Sequence, residues 1–286
     1  MKNYDDTAYV PVLGIQEFRK GQLAGREEFI FNELHGERHI DKPHKHDFFI
    51  INLFESAKGV HNIDFHDYPI GNKQIHLLFP GQVHTWKIKP NTTGYQLMIQ
   101  QNFFERFAPF FRFSFSNYIN HPVIALTNDS FKLLKYEFDA IKDELAATSS
   151  LAEIINARAA VIASIVSKEA EQVFTDFKVF QSNPRLSAFK TLIDKFYKEE
   201  KLVGFYASKL HISSNYLNII CKTHLNASAT KLIQQRVLLE AKRLLQTSEL
   251  SIKEIAFELG FVDHAYFSNF FKAQAGITPT QFRTDT

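Results

Sequence analysis

The stretch that decides the fold runs from Ser251 to Gly276 and reads SIKEIAFELGFVDHAYFSNFFKAQAG. Ser251 followed by Glu254 is the pattern of a capping box, which predicts the start of a helix. Gly260 tolerates the left-handed backbone conformation, so it predicts the end of this helix and a turn. Asp263 is then placed to cap a second helix, which Gly276 ends.

The two predicted helices divide their residues between a buried and an exposed face. Ala256 is small enough to let the helices cross closely, and Phe267, Phe270 and Phe271 recur on the buried side. The other side of the second helix is polar or small, and we take its residues as candidate DNA-binding residues: His264, Ala265, Ser268, Asn269 and Lys272. A short helix, a glycine turn and a polar-faced helix form the geometry that enters a DNA major groove.

A looser copy of this pattern lies upstream, at Val203–His224. His211 and Ile212 are predicted to form its turn, and Ser213 is predicted to cap its second helix. That helix turns a polar side outward, and its candidate DNA-binding residues are Ser214, Asn215, Asn218 and Lys222. An apolar periodicity over Ala227–Leu245 predicts a helix of about 18 residues between the copies, or roughly 27 Å. Successive major grooves on one DNA face are about 34 Å apart, so this connector could seat both units without a dimer.

Composition and charge are compatible with this interpretation. The 286 residues are 45% hydrophobic and 22% charged, which is ordinary for a soluble protein of two domains. Residues 181–286 hold 14 Lys and Arg against 9 Asp and Glu, so the C-terminal part has the net positive charge expected of a polyanion-binding domain. One Cys excludes a disulfide framework and favours a reducing, cytoplasmic compartment. The sequence has no signal-peptide pattern and no apolar run of about 18 residues, so no membrane association is expected.

The first half of the chain predicts β-structure. Short apolar or alternating runs occur at Phe48–Phe54, His61–Phe65, Gln74–Phe79 and Tyr95–Ile99, and turn signals separate them. Their spacing of about 10–15 residues predicts an antiparallel barrel or sandwich. His61 and His66 lie near Asp64 and Asp67, where a solvated polar turn is the simpler interpretation.

Two amphipathic helices are predicted after the strands. One starts with Asn128 or Asp129 as its N-cap, and the next starts at Ser149-Ser150. They either pack within the chain or pair with a second subunit to give a homodimer, and the sequence leaves both open. The predicted organisation is a sensing domain at 1–126, a helical dimerisation segment at 127–174, a linker at 175–184 and a DNA-binding domain at 185–286.

Several C-terminal motifs occur in order and together resemble the signature of bacterial AraC/XylS-type transcriptional regulators: Ala241–Leu245, Glu254-Ile255-Ala256, Gly260-Phe261, Tyr266-Phe267-Ser268, Phe271-Lys272, Gly276–Pro279 and Phe282-Arg283. The resemblance implies a regulator that binds double-stranded DNA and is not an enzyme, with RNA polymerase as a candidate partner. Arg283 is a candidate phosphate contact. The family often has Arg in each recognition helix, where this chain has Ile219 and Asn269. Asn suits adenine and Ile can touch only a thymine methyl, so we expect the second unit to read more of the sequence.

The N-terminal half resembles the cupin-like sensor domain often joined to this DNA-binding domain, on Pro43–Asp47 and Phe79–His84. The resemblance implies an α+β protein with an N-terminal barrel that binds an unknown small-molecule effector. The candidate pocket residues are His44, His46, Phe48, Phe79, His84, Trp86 and Tyr95, although the aromatic ones could simply fill the core. Metal-binding cupins follow His-x-His with a Glu, where this chain has Ile50 and Ile51. We therefore expect no metal and no cofactor, and a metal-dependent cupin enzyme is the alternative function.

Overall fold

The computed structural model describes residues 12–15, 28–113, 115–174 and 183–284. The chain divides into two compact units, one covering Pro11–Thr175 and the other containing the chain from Asp176 onward. The first unit combines β-sheets with helices, and the described residues of the second form helices without strands, which confirms the predicted α+β class. No helix of the described residues is both long and apolar enough to cross a membrane.

The strands of the first unit follow one another closely along the chain. They are β1 (Val12–Leu13), β2 (Phe29–His35), β3 (Arg38–His46), β4 (Phe49–Ser56), β5 (Gly59–Ile63), β6 (His66–Ile70), β7 (Gln74–Leu78), β8 (Val83–Ile88), β9 (Thr93–Ile99) and β10 (Val123–Ala125). One sheet has the order β1-β3-β8-β5-β6 and the other β10-β7-β4-β9-β2. All the pairs are antiparallel except β1 with β3.

The two sheets face each other, because buried clusters join side chains from both. One cluster contains Phe48, Ile50, Leu78 and Met98 together with Ile63 of the opposite sheet. A second cluster contains side chains from both sheets as well, namely Leu34, Phe54, Ile70, Trp86 and Ile88. The predicted antiparallel β-domain is thus built as two facing five-stranded sheets.

Helices cover the outer face of the second sheet. They are α1 (Gln101–Phe107), a 3-10 turn (Ala108–Phe110), α2 (Phe115–Asn120), α3 (Asn128–Ala146) and α4 (Ala152–Val173). The α3 helix begins one residue earlier than predicted, because the side chain of Thr127 accepts the backbone N–H of Ser130 and acts as the N-cap. The α4 helix begins later than predicted, with Leu151 at its N-cap position. Buried Glu169 on α4 accepts hydrogen bonds from the hydroxyls of Thr127 and Ser130, so it ties the two helices together.

The second unit is a bundle of short helices around one long helix. Its elements are α5 (Pro184–Phe196), α6 (Val203–Lys209), α7 (Ser214–Leu225), α8 (Ala229–Thr247), α9 (Ile252–Glu258), α10 (His264–Ala275) and α11 (Pro279–Thr284). A single apolar core joins them, and its fully buried members include Tyr206, Leu217, Cys221, Ile255 and Phe267. The predicted pair of helix-turn-helix units is α6–α7 and α9–α10, with α8 as the connector.

Candidate functional site

The turns of the two helix-turn-helix units are closed by the same hydrogen bond. The Ile212 N–H donates to the Ala207 carbonyl at 3.0 Å in the first unit, and the Phe261 N–H donates to the Ala256 carbonyl at 2.9 Å in the second. In each unit the residue before this donor is left-handed. His211 has a φ of 55° and Gly260 a φ of 73°.

The second turn is one residue longer than the first. Ile212 is followed directly by Ser213, which caps α7, whereas Val262 stands between Phe261 and the cap of α10. Val262 is 95% exposed, so this extra residue projects into solvent. The two recognition helices therefore leave their turns differently.

The predicted caps of both recognition helices are confirmed. The Ser213 hydroxyl accepts the Tyr216 N–H, and the Asp263 carboxylate accepts the Ala265 N–H. Both helices end at a left-handed residue, with a φ of 51° at Asn226 and 84° at Gly276. The Ser251–Glu254 capping box of α9 is also present.

Most predicted DNA-binding side chains lie on the open faces of α7 and α10. The exposed ones are Ser214, Asn215, Lys222, His264, Ala265, Asn269 and Lys272. Asn218 and Ser268 are only half-exposed, and each lies one turn into its helix. Base contacts by these residues remain a prediction.

Asn218 makes contacts inside the helical unit, and its role at DNA stays a prediction. Its amide nitrogen donates to the Ser214 carbonyl at 3.1 Å, and its amide oxygen accepts the Ala229 N–H at 3.0 Å. The side chain therefore joins α7 to the first residue of α8, and both of its polar groups are engaged. Ser268 occupies the equivalent position in α10, where its hydroxyl donates to the His264 carbonyl within its own helix.

Arg283 also makes contacts inside the helical unit, and its role as a phosphate contact stays a prediction. Its guanidinium donates to the carbonyl of Leu245 at 3.2 Å and to that of Leu250 at 2.7 Å. These carbonyls lie at the end of α8 and in the following loop, so Arg283 holds α11 against them. Burial lowers the pKa of Arg283 from its ordinary value.

Three further groups at this surface escaped the sequence interpretation. Tyr216 and Tyr266 occupy equivalent positions in the two recognition helices, where they are 42% and 64% exposed. The guanidinium of exposed Arg185 lies 5.8 Å from the Tyr216 ring. Helical periodicity places both tyrosines on the open face, so the sequence did contain a signal for them. Arg185 is remote from Tyr216 in sequence, and no sequence pattern indicates their contact.

Side-chain contacts fix the connector α8 to other helices at its start and near its middle. The Arg236 guanidinium pairs with Asp194 of α5 at 3.1 Å and lies 4.0 Å from the Tyr197 ring. At the start of α8, the Lys231 ammonium donates to Gln274 of α10 at 2.9 Å. The connector is therefore held in contact with the second recognition helix and with the helix that opens the unit.

A polar layer crosses the interior of the β-domain, between the two apolar clusters described above. In the second sheet, neighbouring strands bring His76, Asn52, Gln96 and Asn32 into one row. The first sheet contributes four histidines, namely His44, His46, His61 and His84, which are at most 5% exposed. The Asn52 amide nitrogen and the Trp86 indole nitrogen are buried in this interior without a hydrogen-bond partner among the described residues.

Four of these histidines form one chain of hydrogen bonds. His46 Nε2 lies 2.8 Å from His84 Nε2, His84 Nδ1 lies 3.0 Å from His61 Nε2, and His61 Nδ1 lies 3.0 Å from His76 Nδ1. The chain continues from His76 Nε2 to Gln74 Oε1 at 3.3 Å. His61 is fully buried, so its predicted place in a solvated turn is wrong; its position on β5 points it inward.

Burial favours the neutral form of four of the five buried imidazoles, those of His44, His61, His76 and His84. Desolvation lowers the pKa of His76 to about 3, and it lowers the pKa of His61 and of His84 well below the ordinary value. The pKa of His44 is lowered for the same reason, although its hydrogen bond to the Lys42 carbonyl opposes this. A neutral imidazole has one N–H and one lone pair, so the hydrogen-bond chain has a direction.

The predicted pocket residues fall into two groups. His44, His46, Phe48, His84 and Trp86 come together in the interior, with the Phe48 ring 4.5 Å from His46 and the Trp86 ring 6.3 Å from His84. Tyr95 lies on β9 of the second sheet, points away from the interior and donates to Asp139 of α3. Phe79 packs against Phe104 at the outer face. These two aromatics line the helical layer, because odd-numbered residues of β9 and the end of β7 face away from the interior.

Two domain families match the chain. The AraC-like ligand binding domain matches residues 25–108, and a helix-turn-helix domain matches residues 206–285.

The similar proteins described next each match only part of this chain. The chain is 39% identical over 74 residues to the raffinose operon transcriptional regulatory protein of Pediococcus pentosaceus, covering 26% of this chain and 27% of that protein. It is 40% identical over 78 residues to the uncharacterized HTH-type transcriptional regulator YfiF of Bacillus subtilis, covering 27% and 24%. The matches thus span about a quarter of each relative's length. Among solved structures, the C-terminal domain of the two-component response regulator yesN of Fusobacterium nucleatum is 34% identical, covering 33% of this chain and 93% of that one, with a TM-score of 0.32.

Proposed function

We propose that this chain, a regulator of the AraC type in its two matched domains, binds double-stranded DNA sequence-specifically and regulates transcription in response to a small-molecule effector. The observation that carries this proposal is the pair of recognition helices. Each is capped, ends at a left-handed residue and presents an exposed face, and one connector helix joins the two units.

The connector length supports binding to two successive major grooves. The α8 helix has 19 residues and so extends about 28 Å, close to the roughly 34 Å between grooves on one face of DNA. Its contacts to α5 and α10 restrict how far the units can move apart. A single chain would therefore read two half-sites on one side of the duplex.

Exposed basic groups beside the recognition helices would supply phosphate contacts. Lys222 and Lys272 lie at equivalent positions on α7 and α10, and Arg185 lies beside Tyr216. Each phosphate that is neutralised releases counterions, so binding weakens steeply with salt. We expect affinity for any duplex to fall by orders of magnitude between low and physiological ionic strength.

A homodimer through α3 and α4 is part of the proposal. Apolar side chains stay exposed on these helices, namely Leu133, Tyr136, Leu151, Ile154 and Val161. A second copy of the helix pair could cover them, and RNA polymerase is the further partner that a transcriptional activator would need. We infer that the chain is not an enzyme, since the similar proteins named above are regulators.

Selection of duplexes from random DNA by the purified chain tests the proposal. We expect a recovered site with two half-sites about one helical turn apart, and binding that the double variant Lys222→Ala/Lys272→Ala weakens. Lys58→Ala/Lys89→Ala, which removes the same charge from exposed positions of the β-domain unit outside α3 and α4, is the matched control. Recovery of no preferred sequence, or equal loss in both double variants, would contradict sequence-specific binding through these helices.

A further inference from the structure

We propose that three cationic side chains between the two helix-turn-helix units, namely Arg236, Lys198 and Lys201, determine which distance between two DNA half-sites the chain accepts. This inference rests on the proposed function, because it concerns how the same two recognition helices are spaced on one duplex. None of the three residues belongs to a recognition helix, so they act as positioning residues.

The three cations lie where two halves of the helical unit meet. The first half consists of α5 and the first helix-turn-helix unit, since the Phe189 ring of α5 packs 5.5 Å from the Tyr206 ring of α6. The second half consists of α8, the second helix-turn-helix unit and α11, with Lys231 of α8 bonded to Gln274 of α10. The spacing of the recognition helices therefore depends on how these two halves are held together.

Arg236 joins α8 to the C-terminal end of α5. Its Nε donates to Asp194 Oδ1 at 3.1 Å, and its guanidinium lies 4.0 Å from the ring of Tyr197. Its Nη1 pairs with Glu240 Oε2 at 3.0 Å, one turn further along α8. A planar guanidinium that is bonded at two edges and stacked near a ring has a fixed orientation, so Arg236 fixes how α8 crosses α5.

Lys198 and Lys201 join the loop after α5 to the second helix-turn-helix unit. The Lys198 ammonium pairs with Glu258 of α9. The Lys201 ammonium donates to the Lys198 carbonyl at 2.8 Å and lies 4.7 Å from the ring of Phe261, in the second turn. The Lys198 carbonyl also lies so close to Gly260 that a Cβ there would be 1.9 Å from its oxygen. Burial lowers the pKa of Lys201, as expected for an ammonium partly removed from water.

These contacts give direction to an apolar core that has none. The buried cluster of the helical unit has members in both halves, and apolar burial holds the halves together without fixing their orientation. Ion pairs and cation–π contacts have a defined geometry. The side chains of Asp194, Lys198 and Glu258 are 37% to 49% exposed, and ion pairs of this kind contribute little to stability. Their loss should therefore leave the fold intact and widen the range of distances between α7 and α10.

Altered half-site spacing tests the proposal. The measured quantity is the ratio of the affinity for the selected duplex to that for the same duplex with one base pair inserted between its half-sites. Arg236→Gln/Lys198→Gln should lower this ratio by about two- to fivefold, the range that such contacts supply. Lys195→Gln/Lys209→Gln removes the same charge from exposed positions of the first half and is the matched control, which should keep the ratio. An unchanged ratio in the first variant, or an equal fall in the control, overturns the proposal.

Two further measurements distinguish charge from a general effect on folding. Arg236→Lys/Lys198→Arg retains both charges and should keep most of the ratio, and circular dichroism at 222 nm checks that each variant is folded. In the unaltered chain the ratio should fall as salt rises, because salt screens half-exposed ion pairs. The loss of phosphate contacts with salt is common to both duplexes and cancels in the ratio. A ratio that does not change with salt would contradict a charged boundary.

The distance between the recognition helices separates this inference from the proposed function. Spin labels at Asn215→Cys and Asn269→Cys, in a Cys221→Ala background, report that distance without DNA by double electron–electron resonance. We expect a broader distance distribution when Arg236→Gln/Lys198→Gln is added. If the distribution broadens but the chain selects no duplex, the proposed function fails and the positioning role remains. If a duplex is selected but neither the distribution nor the ratio changes, the proposed function holds and the positioning role fails.

Discussion

The two helix-turn-helix units share their backbone geometry but expose different side chains on their recognition helices. Both turns close with one backbone hydrogen bond, and both recognition helices have a cap at the start and a left-handed residue at the end. The open faces diverge, with Ile219 in the first unit where the second has Asn269. Capping and turn residues thus set the backbone geometry of each unit. Recognition of a DNA sequence depends instead on the side chains exposed on the recognition helix.

The turns show how neighbours constrain one unit more than the other. His211 and Gly260 are both left-handed, but a Cβ at Gly260 would lie 1.9 Å from the Lys198 carbonyl oxygen. The second turn therefore needs glycine for space as well as for conformation. The first turn tolerates a histidine side chain, which is exposed.

The largest expected effect sharpens this difference between the turns. Gly260→Ala should lower the free energy of unfolding by more than about 2 kcal/mol, because the left-handed conformation alone costs an L-residue about 1–2 kcal/mol and the Lys198 carbonyl must also move. The matched change His211→Gly should be close to neutral. Urea unfolding followed by circular dichroism at 222 nm measures both. Similar losses in the two variants would mean that the turns are equally constrained.

The second-largest expected effect is a difference between the two recognition helices in their contribution to DNA affinity. Asn269→Ala removes a group that can pair with adenine, so we expect about 1–3 kcal/mol weaker binding to the selected duplex. Ile219→Ala removes only an apolar contact and should cost less. Binding of both variants to duplexes altered at each position checks this, since Asn269→Ala should relax the preference at one base pair. A larger effect of Ile219→Ala would assign the reading to the first unit.

Substitution of Asn218 tests whether this residue stabilises the fold of the first unit or contacts a DNA base. Asn218→Ala breaks its bonds to the Ser214 carbonyl and the Ala229 N–H, and should lower the free energy of unfolding by about 1 kcal/mol. Ser268→Ala, at the equivalent position of the second unit, removes one bond within its own helix and should cost less. Thermal unfolding measures the pair. If Asn218→Ala leaves the free energy of unfolding unchanged but alters the base preference, Asn218 contacts a base.

The smallest expected effect concerns the two equivalent lysines. Lys222→Ala and Lys272→Ala should each reduce the slope of log affinity against log salt by about 0.9, because each removes one phosphate contact. The effect should be the same for all duplexes, since phosphates carry no base information. Fluorescence anisotropy at several salt concentrations measures it. A change in only one variant would show that the units engage the backbone unequally.

Local signals in the sequence predicted the caps and turns of the helical unit, but not its side-chain hydrogen bonds. Caps and turns depend on neighbouring residues, so Ser213, Gly260 and Asp263 could be recognised from their sequence context. Arg283 binds carbonyls more than 30 positions away in sequence, at Leu245 and Leu250. No periodicity indicates such a contact, so its phosphate role was predicted from charge alone.

The β-domain shows a different limit. The resemblance to cupin-like domains grouped His44, His46 and His84, and the structure brings these three histidines together. Tyr95 was predicted to line the pocket as one of the aromatic residues that alternate along the strands, but its position on β9 turns it outward toward Asp139. His61 was missed because its neighbours Asp64 and His66 suggest a turn, and only the pairing of β5 with β8 shows that it faces the interior.

Cys221, the one cysteine of the sequence, is a buried residue of the first recognition helix, α7. Burial raises the pKa of its thiol to about 11. A thiol reagent can reach it only when α7 lifts from the core, so the labelling rate reports how often that unit opens. The unique tryptophan, Trp86, is buried in the β-domain, so its fluorescence follows the other unit. The natural sequence thus supplies one spectroscopic and one chemical probe, each confined to a different unit.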